Sequence, residues 1–109
     1  MRERKKLTKA EEVHLFGPKV LERDTERYLV ERVKALGGEV RKVKWIGRRG
    51  APDRVVWLAD GREIWVELKA PGAPPEPHQA REHERMRRMG RRVEVVDSFQ
   101  RVDEVLSRA

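Results

Sequence analysis

Three side chains near the middle of this chain have the types and the spacing for phosphoryl-transfer chemistry. Pro52-Asp53-Arg54 is followed by Glu67-Leu68-Lys69, which puts two carboxylates and one ammonium into a stretch otherwise rich in β-branched and aromatic residues. Structure alone seldom requires that combination. Two hard carboxylate oxygens, with a backbone carbonyl from Leu68 and several waters, suit Mg²⁺ or Mn²⁺ rather than a soft metal. The chain has no cysteine, and its three histidines have no zinc spacing. A divalent ion held in this way lowers the pKa of water and stabilises charge on a phosphoryl group, while Lys69 can orient the nucleophile or offset the developing negative charge. Phosphodiester hydrolysis by a metal-dependent nuclease needs those parts.

The carboxylates can meet only if the chain between them folds back. Arg54 to Leu58 and Glu63 to Lys69 read as strands, and Ala59-Asp60-Gly61 carries the turn signal of a β-hairpin. A three-residue loop with Gly61 in the left-handed region sets Val56 against Ile64, Leu58 against Arg62 and Asp53 against Glu67. Alternation then puts Val56, Leu58, Ile64, Val66 and Leu68 on one face and Asp53, Glu67 and Lys69 on the other. A two-residue turn would bury Asp53 among apolar side chains, which is costly.

The flanking elements follow from period and punctuation. From about Lys19 to Leu36 a helical stripe runs through Glu22, Glu26, Leu29, Val33 and Leu36, so both glutamates are expected to extend the buried face. Either one, near the helix start, could bind a metal through water. Gly37-Gly38 ends this helix, and Glu39 to Trp45 reads as the first strand. Ile46 to Ala51 is a basic, glycine-containing loop whose Arg48 and Arg49 are candidate phosphate contacts. Ala70 to Pro75 excludes regular structure and should cross the mouth of the site. Pro77 fits the first turn of a helix running to Gly90. On that helix Gln79, His83, Met86 and Met89 share a stripe, with His83 expected as a satisfied packing residue and the methionines as core. Its exposed side bears Arg81, Arg85, Arg87 and Arg88, continued by Arg91 and Arg92, a surface suited to tracking a phosphate backbone. Val93 to Val96 reads as the last strand, and Ser98 as the cap of a final helix through Val102, Val105 and Leu106. His14 and His78 carry no pattern. Thr8-Lys9-Ala10-Glu11 has the form of a capping box that would start a short helix ended by Gly17-Pro18.

Pro52-Asp53 with Glu67-x-Lys69 resembles the PD-(D/E)XK signature of the restriction-endonuclease-like nucleases. Glu22 at the start of a helix, Gly37-Gly38 at its end, Gly50 and Arg54 around the Pro-Asp, and Gln79 early in the next helix narrow the resemblance. In that order they resemble the VRR-NUC domain, in the small stand-alone form of phages and bacteria. The resemblance covers roughly Val20 to the C-terminus. It implies an α/β restriction-endonuclease-like core in the order α-β-β-β-α-β-α, a mixed sheet flanked by helices. It also implies that Glu22 rather than Glu26 supports the metal shell, that Gln79 positions the attacking water or the Lys69 amine, and that Arg54 stands among the nucleic-acid contacts. Small members of the family resemble homodimeric enzymes acting on branched DNA such as four-way junctions, which makes Holliday junction resolution the implied activity.

Composition agrees and bounds the alternatives. A chain of 109 residues has room for one modest core, so we expect residues 1–19 as a basic N-terminal extension and residues 20–109 as the nuclease domain. A net charge of +7 favours a polyanionic partner. The absence of cysteine fits a reducing compartment, no run approaches a membrane span, and the charged N-terminus lacks a signal peptide's apolar core. These features lead us to expect a soluble intracellular protein of a bacterium or a phage-infected host. The competing readings are a basic DNA-binding module with structural carboxylates, and an exonuclease or nickase of the same chemistry. Paired carboxylates beside a lysine count against the first, because a polyanion-binding surface gains nothing from them.

Overall fold

A computed structural model describes residues 20–107 of the chain. The expected extension over residues 1–19, with its short helix and His14, lies outside the described residues. Along the rest run α1 (Glu22–Ala35), β1 (Glu39–Lys42), β2 (Arg54–Trp57), β3 (Glu63–Leu68), α2 (Pro77–Arg88), β4 (Val93–Val96) and α3 (Phe99–Leu106). The order is the expected α-β-β-β-α-β-α. The strands form one sheet in the order β1-β2-β3-β4, antiparallel up to β3 and parallel between β3 and β4. A parallel last strand needs a crossover, and α2 supplies it.

The β2–β3 hairpin has the expected register. Val56 pairs with Ile64, the Leu58 amide donates to the Arg62 carbonyl at 3.0 Å, and Gly61 carries the turn at φ +93°. Val56, Leu58, Ile64, Val66 and Leu68 consequently face one way. They join Tyr28, Leu29 and Val33 of α1 and Phe99, Val102, Val105 and Leu106 of α3 in the main core. The Tyr28 and Phe99 rings stack at 4.5 Å. The Tyr28 hydroxyl donates to the buried Asp103 carboxylate, which also accepts from Arg32, so the α1–α3 contact satisfies its own buried charge. Val55 and Val93, on the opposite face by alternation, are buried together with His83 and Met86 of α2.

Four details depart from expectation. β1 stops at Lys42 instead of Trp45. The Val43 amide still donates to the Asp53 carbonyl at 2.9 Å, but the loop beyond it, with Gly47 and Gly50 at φ +74° and +87°, turns out of the sheet. The chain leaves the ladder there. Glu22 and Leu36 are exposed, and the buried stripe of α1 runs instead through Thr25, Tyr28, Leu29 and Val33. The amphipathic tyrosine takes a core position because Phe99 and Asp103 receive it. Of the two methionines on α2, Met86 is buried, whereas Met89 is exposed, since it is the C-cap and Gly90, at φ +83°, turns the chain away. α2 accordingly ends at Arg88, short of Gly90.

Gly37 and Gly38 end α1 as expected, with the Gly38 amide donating to the Val33 carbonyl at 2.9 Å in a Schellman closure. A Cβ on Gly38 would lie 2.4 Å from the Trp57 carbonyl oxygen. That close approach sets α1 against the sheet end from which the hairpin starts. The Ser98 hydroxyl accepts from the Arg101 amide at 3.1 Å and caps α3.

Candidate active site

The β1–β2 ladder ends at the Val43–Asp53 hydrogen bond and leaves Asp53 at the sheet end, its side chain 63% exposed. One step beyond the last paired residues, Arg54 and Val66, the same register sets Asp53 opposite Glu67. Asp53, Glu67 and Lys69 share a face by alternation, the face that α2 covers. The Lys69 amide donates to the Val96 carbonyl at 3.0 Å, which extends the β3–β4 ladder past Leu68 and fixes the direction of the lysine side chain.

Glu67 is the electrostatic centre of this site. Its side chain is only 13% exposed, and its pKa is pushed up to about 7. Burial is the main cause; the charges of Asp53 and Glu22 add to it, while Lys69 and Arg54 pull the other way. Three carboxylates therefore feel one another here, with Lys69 and Arg54 as the opposing cations. Glu22, although exposed, is one of the charges acting on Glu67. Glu26 is committed elsewhere: its Oε2 accepts from Arg54 Nη2 at 3.0 Å. The Arg54 guanidinium, 11% exposed, also contacts Asp53 Oδ1 at 3.0 Å.

Two α2 residues were not foreseen as members of the site. His83 is fully buried, with Nε2 3.6 Å from Glu67 Oε1 and no hydrogen-bond partner. The expectation of a satisfied packing residue is corrected in that respect, because 3.6 Å is too long for a hydrogen bond. Burial first, then Arg87 and Lys69, lower its pKa, while Glu82 opposes them. Its place one turn after Gln79 was the signal available in the sequence. Glu82, also buried, accepts from Arg48 in a two-point contact of 3.0 and 2.9 Å. That ion pair ties the basic loop to α2. A second tie is backbone packing at Gly50, φ +87°, where a Cβ would meet the His78 carbonyl oxygen at 2.8 Å.

Gln79 is half-buried in the first turn of α2, and its Oε1 accepts from the Glu76 amide at 2.8 Å. It caps the helix, and its Nε2 is the group with which it would meet a water. Of the expected nucleic-acid contacts, Arg49, Arg81, Arg85 and Arg88 are exposed. Arg48 and Arg54 are held in the ion pairs above, so the expected open phosphate contact at Arg54 is replaced by a link between Glu26 and Asp53. Arg87 donates to the Val93 carbonyl and Arg92 to the Val105 carbonyl, which removes both from the expected arginine surface.

No three histidine or acidic side chains among the described residues converge closely enough to hold a metal ion by themselves. A magnesium-like ion, which keeps several waters and takes few carboxylates, still fits Asp53 and Glu67, two hard oxygen donors set opposite each other by the sheet register. Among the described residues no helix is long and apolar enough to cross a membrane.

No family model matches the chain. A protein of Acyrthosiphon pisum secondary endosymbiont phage 1, named "Putative nuclease p44", is 47% identical over 79 residues, 72% of this chain and 85% of that protein. A solved structure described as a VRR-NUC domain is 48% identical, superposes with a TM-score of 0.71, and is matched over 78% of this chain and 92% of its own. The chain belongs to the VRR-NUC family. The α/β fold with its mixed sheet is that of this nuclease domain, and phosphodiester hydrolysis is its class of reaction. In this VRR-NUC chain the carboxylates expected from sequence lie opposite each other at one sheet end, with His83 of α2 against Glu67 and Asp53 left exposed.

Proposed function

We propose that this VRR-NUC chain is a Mg²⁺- or Mn²⁺-dependent DNA endonuclease, structure-selective on branched DNA and acting as a homodimer. The register that sets Asp53 opposite Glu67 supports the metal dependence: two hard carboxylates at one sheet end, one of them held above the usual carboxylate range mainly by burial, can share a divalent ion. Asp53 and Glu67 would hold the ion, with the Leu68 carbonyl and water, and Glu22 through water. The ion would supply Lewis-acid polarisation of the phosphoryl group and a more acidic water. The Lys69 ammonium orients the attacking water and offsets charge growing on the phosphate oxygens. Gln79 aids by positioning that water through its amide nitrogen. Water adds to phosphorus, the bond to the leaving oxygen breaks, and the products are a phosphate and a hydroxyl terminus. Branched substrates and a dimer rest on the family resemblance, together with the exposed Arg49, Arg81, Arg85 and Arg88 that two copies would present across a two-fold axis.

The purified protein should cut flapped or four-way DNA faster than linear duplex, with Mg²⁺ or Mn²⁺ and not with EDTA, and should scatter light as a dimer. Cleavage that persists in EDTA would remove the metal. A monomer with equal activity on branched and linear DNA would leave a nuclease indifferent to structure.

The two α1 glutamates should differ. Glu22→Gln takes away a charge that acts on Glu67, whereas Glu26→Gln only weakens the link through Arg54. We expect Glu22→Gln to lower single-turnover cleavage by about tenfold or more and Glu26→Gln by a smaller factor. The reverse ranking would place the metal one helical turn further along α1.

A further inference from the structure

An open groove of about 530 Å³ runs from Asp53 along the edge of the sheet, lined by Lys42, Lys44, Trp45 and Arg48 among others. That volume suits a small ligand or a single nucleotide unit. The walls combine open cations with an aromatic ring. Lys42 and Lys44 alternate along one side of the chain leaving β1, both are exposed, and neither has an acidic partner among the described residues. Arg48 and Arg54, by contrast, are engaged by Glu82 and by Glu26 and Asp53.

Trp45 is held in place while part of its ring stays bare. Its indole N–H donates to the Pro52 carbonyl at 2.8 Å, and its ring leans on Trp65 at 5.3 Å and 49°. It remains 36% exposed, and Ile46 beside it is 92% exposed. The other exposed indole, Trp57, already has the Arg41 guanidinium over its ring and Glu63 on its N–H. A ring fixed by a hydrogen bond to the residue before Asp53 loses little freedom when a base stacks on it.

We propose that this groove is a subsite for one unpaired DNA strand running away from the scissile phosphate, with Trp45 as the stacking platform for a base and Lys42 and Lys44 as contacts to successive phosphates. Stacking on an aromatic ring beside a basic track is the chemistry by which proteins hold single strands with little sequence preference. Ile46, bare at the loop tip, extends the apolar surface towards the neighbouring base step. The subsite rests on the reading of the chain as a DNA nuclease and adds to it a preference for a strand released at a flap or branch.

Binding in EDTA, without cleavage, tests this directly. Fluorescence anisotropy of a labelled oligothymidylate, a single-strand flap on a duplex and a blunt duplex of equal length would be compared for the unmodified protein, Trp45→Ala, Trp45→Phe and the double variant Lys42→Ala/Lys44→Ala. Trp45→Ala should weaken the oligothymidylate and the flap by about ten- to hundredfold, with the blunt duplex changed much less. Trp45→Phe, which keeps a ring, should recover most of the loss. Replacing the exposed lysine pair should leave folding untouched and flatten the slope of log K against log salt for the single strand by roughly 0.7 for each phosphate no longer neutralised. Equal affinities for all three DNAs, or a lysine variant with an unchanged single-strand slope, would overturn the subsite. If metal-dependent cleavage by the unmodified protein persisted alongside that result, the nuclease reading would stand without the subsite. If the unmodified protein neither bound nor cut DNA, both would fall.

Discussion

Asp53→Asn is expected to cut single-turnover DNA cleavage by on the order of a thousandfold while the protein still folds. The Asp53 side chain is 63% exposed and outside the core, and its partner Arg54 keeps its contact with Glu26. The fold therefore loses little. Catalysis loses much, because asparagine keeps the shape of the ligand but not the charge that holds a hard divalent ion. Lys69→Ala should lose turnover to a similar extent with metal still bound, since the ammonium acts on the nucleophile and the phosphate. Gln79→Ala should be milder, as part of what it removes is a helix cap. The measurement is cleavage under saturating Mg²⁺, with circular dichroism to confirm folding. An Asp53→Asn protein that cuts within about tenfold of the unmodified rate would remove Asp53 from the metal site.

Glu67→Gln should have two opposed effects, each large. Cleavage should disappear, yet the metal-free protein at pH 8 should become more stable by up to roughly 3 kcal/mol. The folded pKa of about 7 lies above the ordinary carboxylate value of 4.5, so between those values the folded state holds a proton that the unfolded chain has released. Stability from this group is full below pH 4.5 and is lost as pH rises to about 7. Above pH 7 the folded protein carries an ionised carboxylate, mostly buried among like charges. Glutamine removes that charge. Urea unfolding in EDTA at pH 5 and pH 8 should show the gain mainly at pH 8, and Mg²⁺ should stabilise the unmodified protein more than the variant. A variant no more stable than the parent at pH 8 would mean that Glu67 has a partner that compensates its charge. The same shift means that metal-dependent cleavage should rise with pH through about 7, where Glu67 becomes free to bind an ion.

The pairing of destabilised charge with function has a physical origin. Replacing a buried, uncompensated carboxylate by a neutral isostere favours folding. Its presence at the sheet end, beside two further carboxylates, is the arrangement that the proposed divalent ion would complete. His83 adds to this. Its imidazole is sealed beside Glu67 Oε1 with an unpartnered nitrogen, so that side of the carboxylate is not solvated as it would be on an open surface.

Residue type and period were enough to place the hairpin and the chemistry it carries. Gly61 dictates a turn with a positive φ, alternation dictates which side chains share a face, and the cost of burying Asp53 selects between registers. Those are local rules, and β2, β3, Gly37-Gly38 and the Ser98 cap obey them. The nuclease family could be recognised from the spacing of Pro52-Asp53, Glu67 and Lys69 for the same reason: the motif lies on two adjacent strands whose geometry is nearly independent of the rest of the chain. Helix periodicity was less informative. It ranked Glu22, Glu26 and Leu36 with the core of α1, whereas Thr25 and Tyr28 are buried there, Tyr28 because a ring and an acid from α3 meet it. A tyrosine cannot be counted as buried until its hydroxyl has a partner, and that partner comes from the far end of the chain.

What the sequence determined by itself was the set of elements among the described residues, their order, the register of the β2–β3 hairpin and which two carboxylates that register sets opposite each other. Only the tertiary structure decided how those groups are charged and held. The placing of Arg54 between Glu26 and Asp53, the clamp of Arg48 on Glu82, the sealing of His83 against Glu67 and the pinning of Trp45 on Pro52 and Trp65 all arise where loops or helices meet the sheet across long stretches of chain. Pattern along a chain specifies the face a side chain takes, while burial and partners depend on what is laid over that face. The pKa of Glu67 follows from that covering layer.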